Sequence, residues 1–407
     1  EIAQDLGAAE PMHRLVQGEV GSGKTLVALR AMLAVADSGG QSALMAPTEV
    51  LAAQHLRSIA EMLGPDLSAE LMPTLVTGQL SIAERKRALL RTVSGQSRIV
   101  VGTHALLGDA VSFYDLGLVV VDEQHRFGVE QREALRAKGG TPPHVLVLTA
   151  TPIPRTVAMT VFGDLEVSTI AQLPAGRQGI ESFVVPLSDR PGWERRIWER
   201  ASEEIAGGRQ VFVVCPAISA TEAAQVRADP LFAQTRVGVL HGRLASDEKD
   251  AVMRAFAAGD IDLLIATTVI EVGVNVPNAS AMIVLDADRF GVSQLHQLRG
   301  RVGRGGVPGL CLLGTHAEEG SLARQRVDAV AATLDGFELA NVDLELRREG
   351  DVLGSRQSGG RSSLKLLRVV SDGELISEAR VAAAETLDDG GLAAHPALAA
   401  ALARRLD

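Results

Sequence analysis

Short apolar runs alternate along the first part of this chain with stretches whose apolar positions recur every three or four residues. The runs at 14–17, 43–45, 98–101, 118–121 and 145–148 are largely continuous and do not alternate, which is the pattern of strands buried on both faces of a parallel sheet. With helical stretches between them they predict βαβ units, and hence an α/β fold of parallel sheets covered by helices. The turn-rich stretch Leu173-Pro174-Ala175-Gly176-Arg177-Gln178-Gly179 interrupts the series. The alternation then restarts, with strands expected at 211–214, 237–240, 263–266, 281–285 and 310–313. A helix ahead of them carries Trp193, Ile197 and Trp198 at helical spacing, expected as core contacts. Beyond about residue 317 the strand pattern stops, and a helix-rich tail ends in an Ala/Leu-rich segment at 392–406. Three domains are expected, at 1–175, 176–318 and 319–407.

Composition narrows the class. At 407 residues the chain exceeds what one hydrophobic core supports. A hydrophobic content of 46% with 22% charged residues is ordinary for a soluble α/β protein. No apolar run reaches the length of a membrane span, and the first residues lack the pattern of a signal peptide. A cytoplasmic protein without membrane contact is expected. Cys215 and Cys311 lie far apart in strand-like runs and read as buried thiols of a reducing compartment, with a disulfide or metal site disfavoured. A net charge of −10 excludes a protein coated in positive charge, yet leaves room for a local basic track on nucleic acid. The chain opens on Glu1-Ile2-Ala3 and reaches its first motif almost at once, which reads as the beginning of a piece of a longer protein.

That first motif is Gly18-Glu19-Val20-Gly21-Ser22-Gly23-Lys24-Thr25, a complete phosphate-binding loop between a strand and a helix. Its glycines (Gly18, Gly21, Gly23) let backbone N–H groups, with Ser22, close around nucleotide phosphates. Lys24 can reach the outer phosphates, and the Thr25 hydroxyl can ligate Mg²⁺. The apolar run Leu118-Val119-Val120-Val121 ends in Asp122-Glu123-Gln124-His125. A carboxylate at the end of such a strand lies at the edge where open α/β sheets bind ligands. Asp122 is placed to hold Mg²⁺, directly or through water, and Glu123 to orient and deprotonate the attacking water.

Together with Gln297-Leu298-Arg299-Gly300-Arg301-Val302-Gly303-Arg304, these segments resemble motifs I, II and VI of superfamily 2 helicases and translocases. Ala46-Pro47-Thr48-Glu49 resembles motif Ia, Gly102-Thr103-His104 motif Ib and Thr149-Ala150-Thr151 motif III. Motif V is resembled by Thr267-Thr268-Val269-Ile270-Glu271-Val272-Gly273-Val274-Asn275, with Asn275 where many members have Asp. The resemblance implies two tandem RecA-like P-loop domains followed by a helical hairpin and tail. It implies ATP and Mg²⁺ as cofactors, with Gly273 and Asn275 adding to the nucleotide site. Arg301 and Arg304 become arginine fingers that the second domain presents to a nucleotide held by the first. Their spacing of three puts both on one face of a helix, and a guanidinium there stabilises the charge of the transferred phosphoryl group. Gln297 is expected beside them, contacting nucleotide or coupling the domains. Thr48, Thr103, His104 and Thr268 can donate hydrogen bonds to DNA phosphates, or serve as caps and turn residues.

Outside the general motifs, Asp122 to Val129 and Asp286-Ala287-Asp288-Arg289-Phe290-Gly291 are similar to the RecG family of bacterial branched-DNA translocases. The tail agrees, in Gly336-Phe337-Glu338-Leu339-Ala340, Asp343-Leu344-Glu345-Leu346-Arg347 and Gly354-Ser355-Arg356-Gln357-Ser358-Gly359. By this resemblance Arg326, Arg347 and Gln357 belong to a translocation motif that senses the motor and touches duplex DNA. Arg348-Glu349 departs from the family's usual Gly-Pro, which leaves the loop after Arg347 open. The family also carries a wedge domain with an OB fold and a glutamine motif. Without them this polypeptide is expected to hydrolyse ATP weakly and recognise forks poorly. The resemblance implies an ATP-driven double-stranded DNA translocase that remodels stalled replication forks and Holliday junctions in repair and recombination. It further implies a bacterial, nucleoid-associated monomer, with a single-stranded DNA-binding protein as a candidate partner. The alternatives are a motor like the transcription-repair coupling factor, acting on RNA polymerase, and a non-catalytic nucleotide-dependent DNA scaffold.

Overall fold

Strands form where the apolar runs predict them, and they do so because each run must bury two faces at once. The computed structural model describes residues 1–122, 142–149, 165–171, 179–217, 225–267, 276–346, 373–389 and 391–406. Strands β1 (His13–Gly18), β2 (Gln41–Met45), β3 (Thr74–Val76), β4 (Ile99–Gly102), β5 (Leu116–Asp122), β6 (His144–Thr149) and β7 (Glu166–Ile170) form a seven-stranded sheet in the order β3-β4-β2-β5-β6-β1-β7. All its pairings are parallel. Successive residues part to opposite faces: Leu44, Leu118, Val120, Leu146 and Leu148 pack in one cluster with helices Lys24–Asp37 and Glu49–Leu71. Ala43, Met45, Val100, Val119 and Val121 pack in another, with Ala88 of helix Ile82–Val93.

A second all-parallel sheet contains β8 (Ile180–Pro186), β9 (Gln210–Val214), β10 (Val237–Leu240), β11 (Leu263–Ala266), β12 (Ala279–Val284) and β13 (Gly309–Thr315), in the order β10-β11-β9-β12-β13-β8. One face carries helix Trp193–Ala206 through Ile197 and Ala201. The other carries helices Ser246–Ala258, Val292–Arg299 and Leu322–Ala332, through Met253, Phe256, Leu295, Leu298, Val327 and Val330.

Three strands escaped the pattern of apolar runs: β3, β7 and β8. Each lies at the edge of its sheet. An edge strand has one neighbour and can leave one face half-exposed, so its side chains need not form a continuous apolar run, and β3 is only three residues long. Glu166 and Thr169 of β7 are exposed, as are Glu181 and Phe183 of β8. Two other expectations are corrected. Trp193 is not a core contact: it is 42% exposed, with the Arg190 guanidinium carbon 4.4 Å from its ring centre. Ile197 is buried, and Trp198 meets Phe232 edge-on at 5.9 Å. Cys311 is fully buried and burial pushes its thiol up to about 12, whereas Cys215 is only partly buried.

Two compact units emerge, Glu1–Pro152 with Glu166–Asp343, and Ile153–Leu165 with Leu344–Asp407. Both sheets and helix Leu322–Ala332 thus belong to the first. In the second, helices Gly373–Asp388, Gly391–Ala394 and Pro396–Leu406 pack each on the next. Among the described residues, no helix is long and apolar enough to cross a membrane.

Candidate active site

The loop leaving β1 is shaped by three glycines for two different reasons. A Cβ on Gly18 would lie 2.7 Å from Ser22 Oγ and 3.0 Å from the Ile170 carbonyl oxygen, so the turn closes only without a side chain. Gly21 and Gly23 have φ of 85° and 90°, a region that L side chains rarely adopt. Gly23 caps helix Lys24–Asp37, whose first N–H groups and positive dipole end face the loop. Lys24 is buried, and its Nζ donates to the carbonyls of Gly18 at 2.8 Å and Glu19 at 2.9 Å. Ser22 Oγ is buried without a hydrogen-bond partner. A buried ammonium, an unanswered hydroxyl and a helix N-terminus on a glycine-shaped turn fit a phosphate chain. Thr25 stands in the first turn of that helix.

Asp122 ends β5 and pairs with Leu148 of β6, while Gln17 of β1 pairs with Thr149 of β6. The loop root and Asp122 therefore stand two strand spacings apart, roughly 10 Å, on either side of β6. The Asp122 carboxylate is held by His55 Nε2 at 2.8 Å, from helix Glu49–Leu71. No group of three or more metal-binding side chains occurs among the described residues. Lone protein carboxylates of this kind suit Mg²⁺, which keeps waters and takes further oxygens from bound phosphates.

The same carboxyl edge continues past β5 to strands β2, β4 and β3. Thr48 follows β2 and caps helix Glu49–Leu71, accepting from Leu51 N at 3.3 Å. Thr103 follows β4 and accepts from Ala105 N at 3.4 Å, capping the 3-10 turn His104–Leu107, on which His104 is exposed. Both threonines are thus caps, each keeping a hydroxyl hydrogen to donate. Beyond β3, Gln79 Nε2 donates to Asp247 at 3.2 Å and Asp250 at 3.1 Å, reaching helix Ser246–Ala258 of the second sheet.

From the second sheet, helix Val292–Arg299 presents Gln297, which is buried. Arg301 and Arg304 do not share a helical face, because the helix ends at Arg299 with Gly300 as its cap. Gly303 follows at φ 71°, and Arg304 Nε donates back to the Gly300 carbonyl at 2.9 Å. The turn lies against the phosphate loop: a methyl on Gly300 would sit 3.5 Å from Val20 Cγ2. His296 Nε2 is 3.0 Å from the Glu19 carboxylate. Arg326 faces the turn Ala287–Arg289, with Nη2 3.5 Å from the Asp288 carbonyl. Glu123, Thr268, Gly273, Asn275, Arg347 and Gln357 lie outside the described residues.

Sequence reasoning assigned no role to His55, Glu19, His296 or Arg299. His55 carried a signal: it stands four residues from both Leu51 and Ile59, two buried positions of one helical face. Glu19 carried none, since its position in the loop motif accepts any residue.

The DEAD/DEAH box helicase model matches residues 6–160, and the helicase conserved C-terminal domain model matches 196–306. The model described as ATP-dependent DNA helicase RecG, domain 3, C-terminal, matches 333–407. A relative from Mycobacterium leprae (strain TN), named ATP-dependent DNA helicase RecG, is 53% identical over 435 residues, covering 100% of this chain and 58% of the relative. One of the same name from Bacillus subtilis (strain 168) is 46% identical, over 94% of this chain and 56% of the relative. The chain thus spans a little over half the length of these two relatives. A solved structure of RecG bound to a three-way DNA junction superposes with a TM-score of 0.77 at 39% identity, covering 92% of this chain and 49% of that one. The Mycobacterium smegmatis helicase Lhr, at 19% identity and a TM-score of 0.59 over 81% of this chain and 50% of its own, shares the fold. The two parallel-sheet domains are tandem RecA-like domains of the helicase type.

Proposed function

Because this chain belongs to the RecG family of ATP-dependent DNA helicases, we propose that it is the ATP-hydrolysing motor of a translocase acting on branched double-stranded DNA. Stalled forks and Holliday junctions are the substrates that fit, in DNA repair and recombination, with the motor working as a monomer. The observation that carries this reading is the meeting of two half-sites. A phosphate loop on the first sheet abuts an arginine-bearing turn on the second, through Val20 with Gly300 and Glu19 with His296.

The residues divide the work. The glycine turn and the helix N-terminus bind the phosphates of ATP, and Lys24 moves from the Gly18 and Glu19 carbonyls to the outer phosphate oxygens. Mg²⁺, held between Thr25, Asp122 and the phosphates, would neutralise developing charge when bound. Asp122 is oriented for this by His55. Glu123 is assigned the activation of water, Arg301 and Arg304 the stabilisation of the transferred phosphoryl group, and Gln297 the linking of the two domains. Gly273 and Asn275 add to the nucleotide site. Thr48, Thr103, His104 and Thr268 line the DNA track, for which the separation along the first sheet speaks. Nucleotide residues follow β1 and β5, whereas Thr48 and Thr103 follow β2 and β4 on the far side. Arg326, Arg347 and Gln357 are assigned to the duplex-sensing segment.

The match of 333–407 to a RecG-specific model favours this reading over a transcription-coupled motor. Lys24, Glu123 and both arginines are present, which favours a working enzyme over a scaffold. ATP turnover measured with branched duplex, linear duplex and single-stranded DNA tests it. Strongest stimulation by branched duplex is expected. Stimulation by single strands alone would indicate a strand-separating helicase, and no turnover with any DNA would indicate a scaffold.

A further inference from the structure

Glu19 sits inside the phosphate loop, yet its carboxylate serves no phosphate, since like charges repel. Its side chain is 17% exposed and reaches out of the loop to two other elements. One oxygen, Oε2, meets His296 Nε2 at 3.0 Å, and the other, Oε1, accepts from the Gly336 amide at 2.9 Å. Gly336 begins helix Gly336–Leu346.

The proton on His296 can be placed from its second neighbour. Arg299 Nη2 stands 2.8 Å from His296 Nδ1. A guanidinium only donates, so Nδ1 accepts, and the ring hydrogen is on Nε2, donating to Glu19. Arg299, 2% exposed, donates onward through Nη1 to the carbonyls of Val330 and Thr333, the latter at 2.6 Å. These carbonyls close helix Leu322–Ala332, three residues before Gly336. The result is a closed circuit: Glu19, His296, Arg299, the end of helix Leu322–Ala332, the turn to Gly336, and Glu19 again.

Residue 19 therefore faces both ways. Its carbonyl takes the Lys24 ammonium, and its carboxylate takes the helix that leads into Arg301 and Arg304. Resting on the reading of this site as an ATP-driven motor, we propose that Glu19 is a positioning residue, coupling phosphate occupancy of the loop to the placement of the arginine turn and of helix Gly336–Leu346. When Lys24 turns to phosphate, the Glu19 carbonyl gives up the ammonium while still accepting from the Ser22 amide at 3.0 Å, and the loop rearranges. The carboxylate carries that movement to His296 and Gly336. Charge-assisted bonds largely withdrawn from water transmit it because they are stronger than neutral ones and costly to break there.

The test is a double-mutant cycle in the full chain, reading DNA-stimulated ATP turnover and, separately, equilibrium binding of a fluorescent ATP analogue. Glu19→Gln preserves shape but, with one acceptor oxygen for two donors, sets its amide NH₂ against either the imidazole N–H or the Gly336 amide. Glu19→Gln and His296→Ala are each expected to lower kcat about tenfold, with less than about a twofold change in analogue affinity, and the double variant no further than either single. His296→Gln, whose amide offers one donor and one acceptor, is expected to recover most of the loss. Additive losses, a parallel loss of analogue affinity, or unchanged kcat overturn the proposal. Absence of DNA stimulation in the unaltered chain overturns the motor reading instead, and the cycle on DNA-free turnover still decides the coupling.

Discussion

His55 and Asp122 meet side chain to side chain, Nε2 to Oδ2, at 2.8 Å, joining the helix that follows β2 to the end of β5. Neither side chain is well exposed, at 13% and 16%. The imidazole fixes which way the carboxylate faces, and a metal-holding carboxylate depends on such support.

Replacing His55 with Ala is therefore expected to weaken Mg²⁺ use roughly 10- to 100-fold, while nucleotide binding without Mg²⁺ is kept. A Mg²⁺ titration of ATP turnover checks this. An unchanged half-saturating Mg²⁺ concentration would remove His55 from the role.

Lys24→Ala removes the one buried ammonium of the phosphate loop and leaves the Gly18 and Glu19 carbonyls without that donor. Loss of the thermal shift induced by ATP with Mg²⁺ is expected, along with a fall in turnover of about a hundredfold or more. Differential scanning fluorimetry with and without nucleotide reads the first, and a phosphate-release assay the second.

Arg301→Ala and Arg304→Ala are expected to lower kcat by about a thousandfold where the guanidinium meets the transferred group, with nucleotide affinity changed far less. Comparable losses in affinity and kcat would make the arginine a ground-state binding group.

Gly303→Ala tests the turn that carries those arginines. The residue has φ 71°, and a Cβ would lie 3.1 Å from Ile180 Cγ1 and 3.3 Å from Gly309 N. A loss of about 1–3 kcal/mol is expected from the backbone strain, read as a lower denaturation midpoint. A larger fractional fall in turnover than in folded fraction would show the arginines displaced.

Stability should also fall in mild acid through His144. Its Nδ1 accepts from the Met12 amide at 2.9 Å, and burial holds its pKa below the ordinary imidazole value, against a smaller opposing pull from Asp5. Above that ordinary value both folded and unfolded chains leave it neutral. As pH drops through it, the unfolded chain binds a proton that the folded chain refuses, so stability declines until the folded pKa is also passed. The melting temperature should drop less between pH 7.5 and 5.5 in His144→Gln than in the parent, and an equal drop would clear His144 of this effect.

The sequence alone determined the interior of both sheets and the chemistry of the first half-site. A strand buried on both faces has to be apolar throughout, so β2, β4, β5, β6, β9, β11 and β12 announced themselves. Likewise a phosphate turn that tolerates no Cβ at Gly18 and needs positive φ at Gly21 and Gly23 leaves few alternatives in residue type. Edge strands β7 and β8 were hidden because one free edge and a half-exposed face relax that demand, and β3 because its three residues, Thr74–Val76, make too short a run. Trp193, at correct helical spacing, turned outward to Arg190, since spacing fixes a face and not what covers it. Only the tertiary structure decided that Arg301 and Arg304 lie beyond a helix end, that Thr48 and Thr103 are caps, and that His55 supports Asp122. It alone brought Glu19 to His296, 277 positions apart. Local periodicity reports what each segment must bury, whereas such a bond depends on two sheets meeting, which no local pattern encodes.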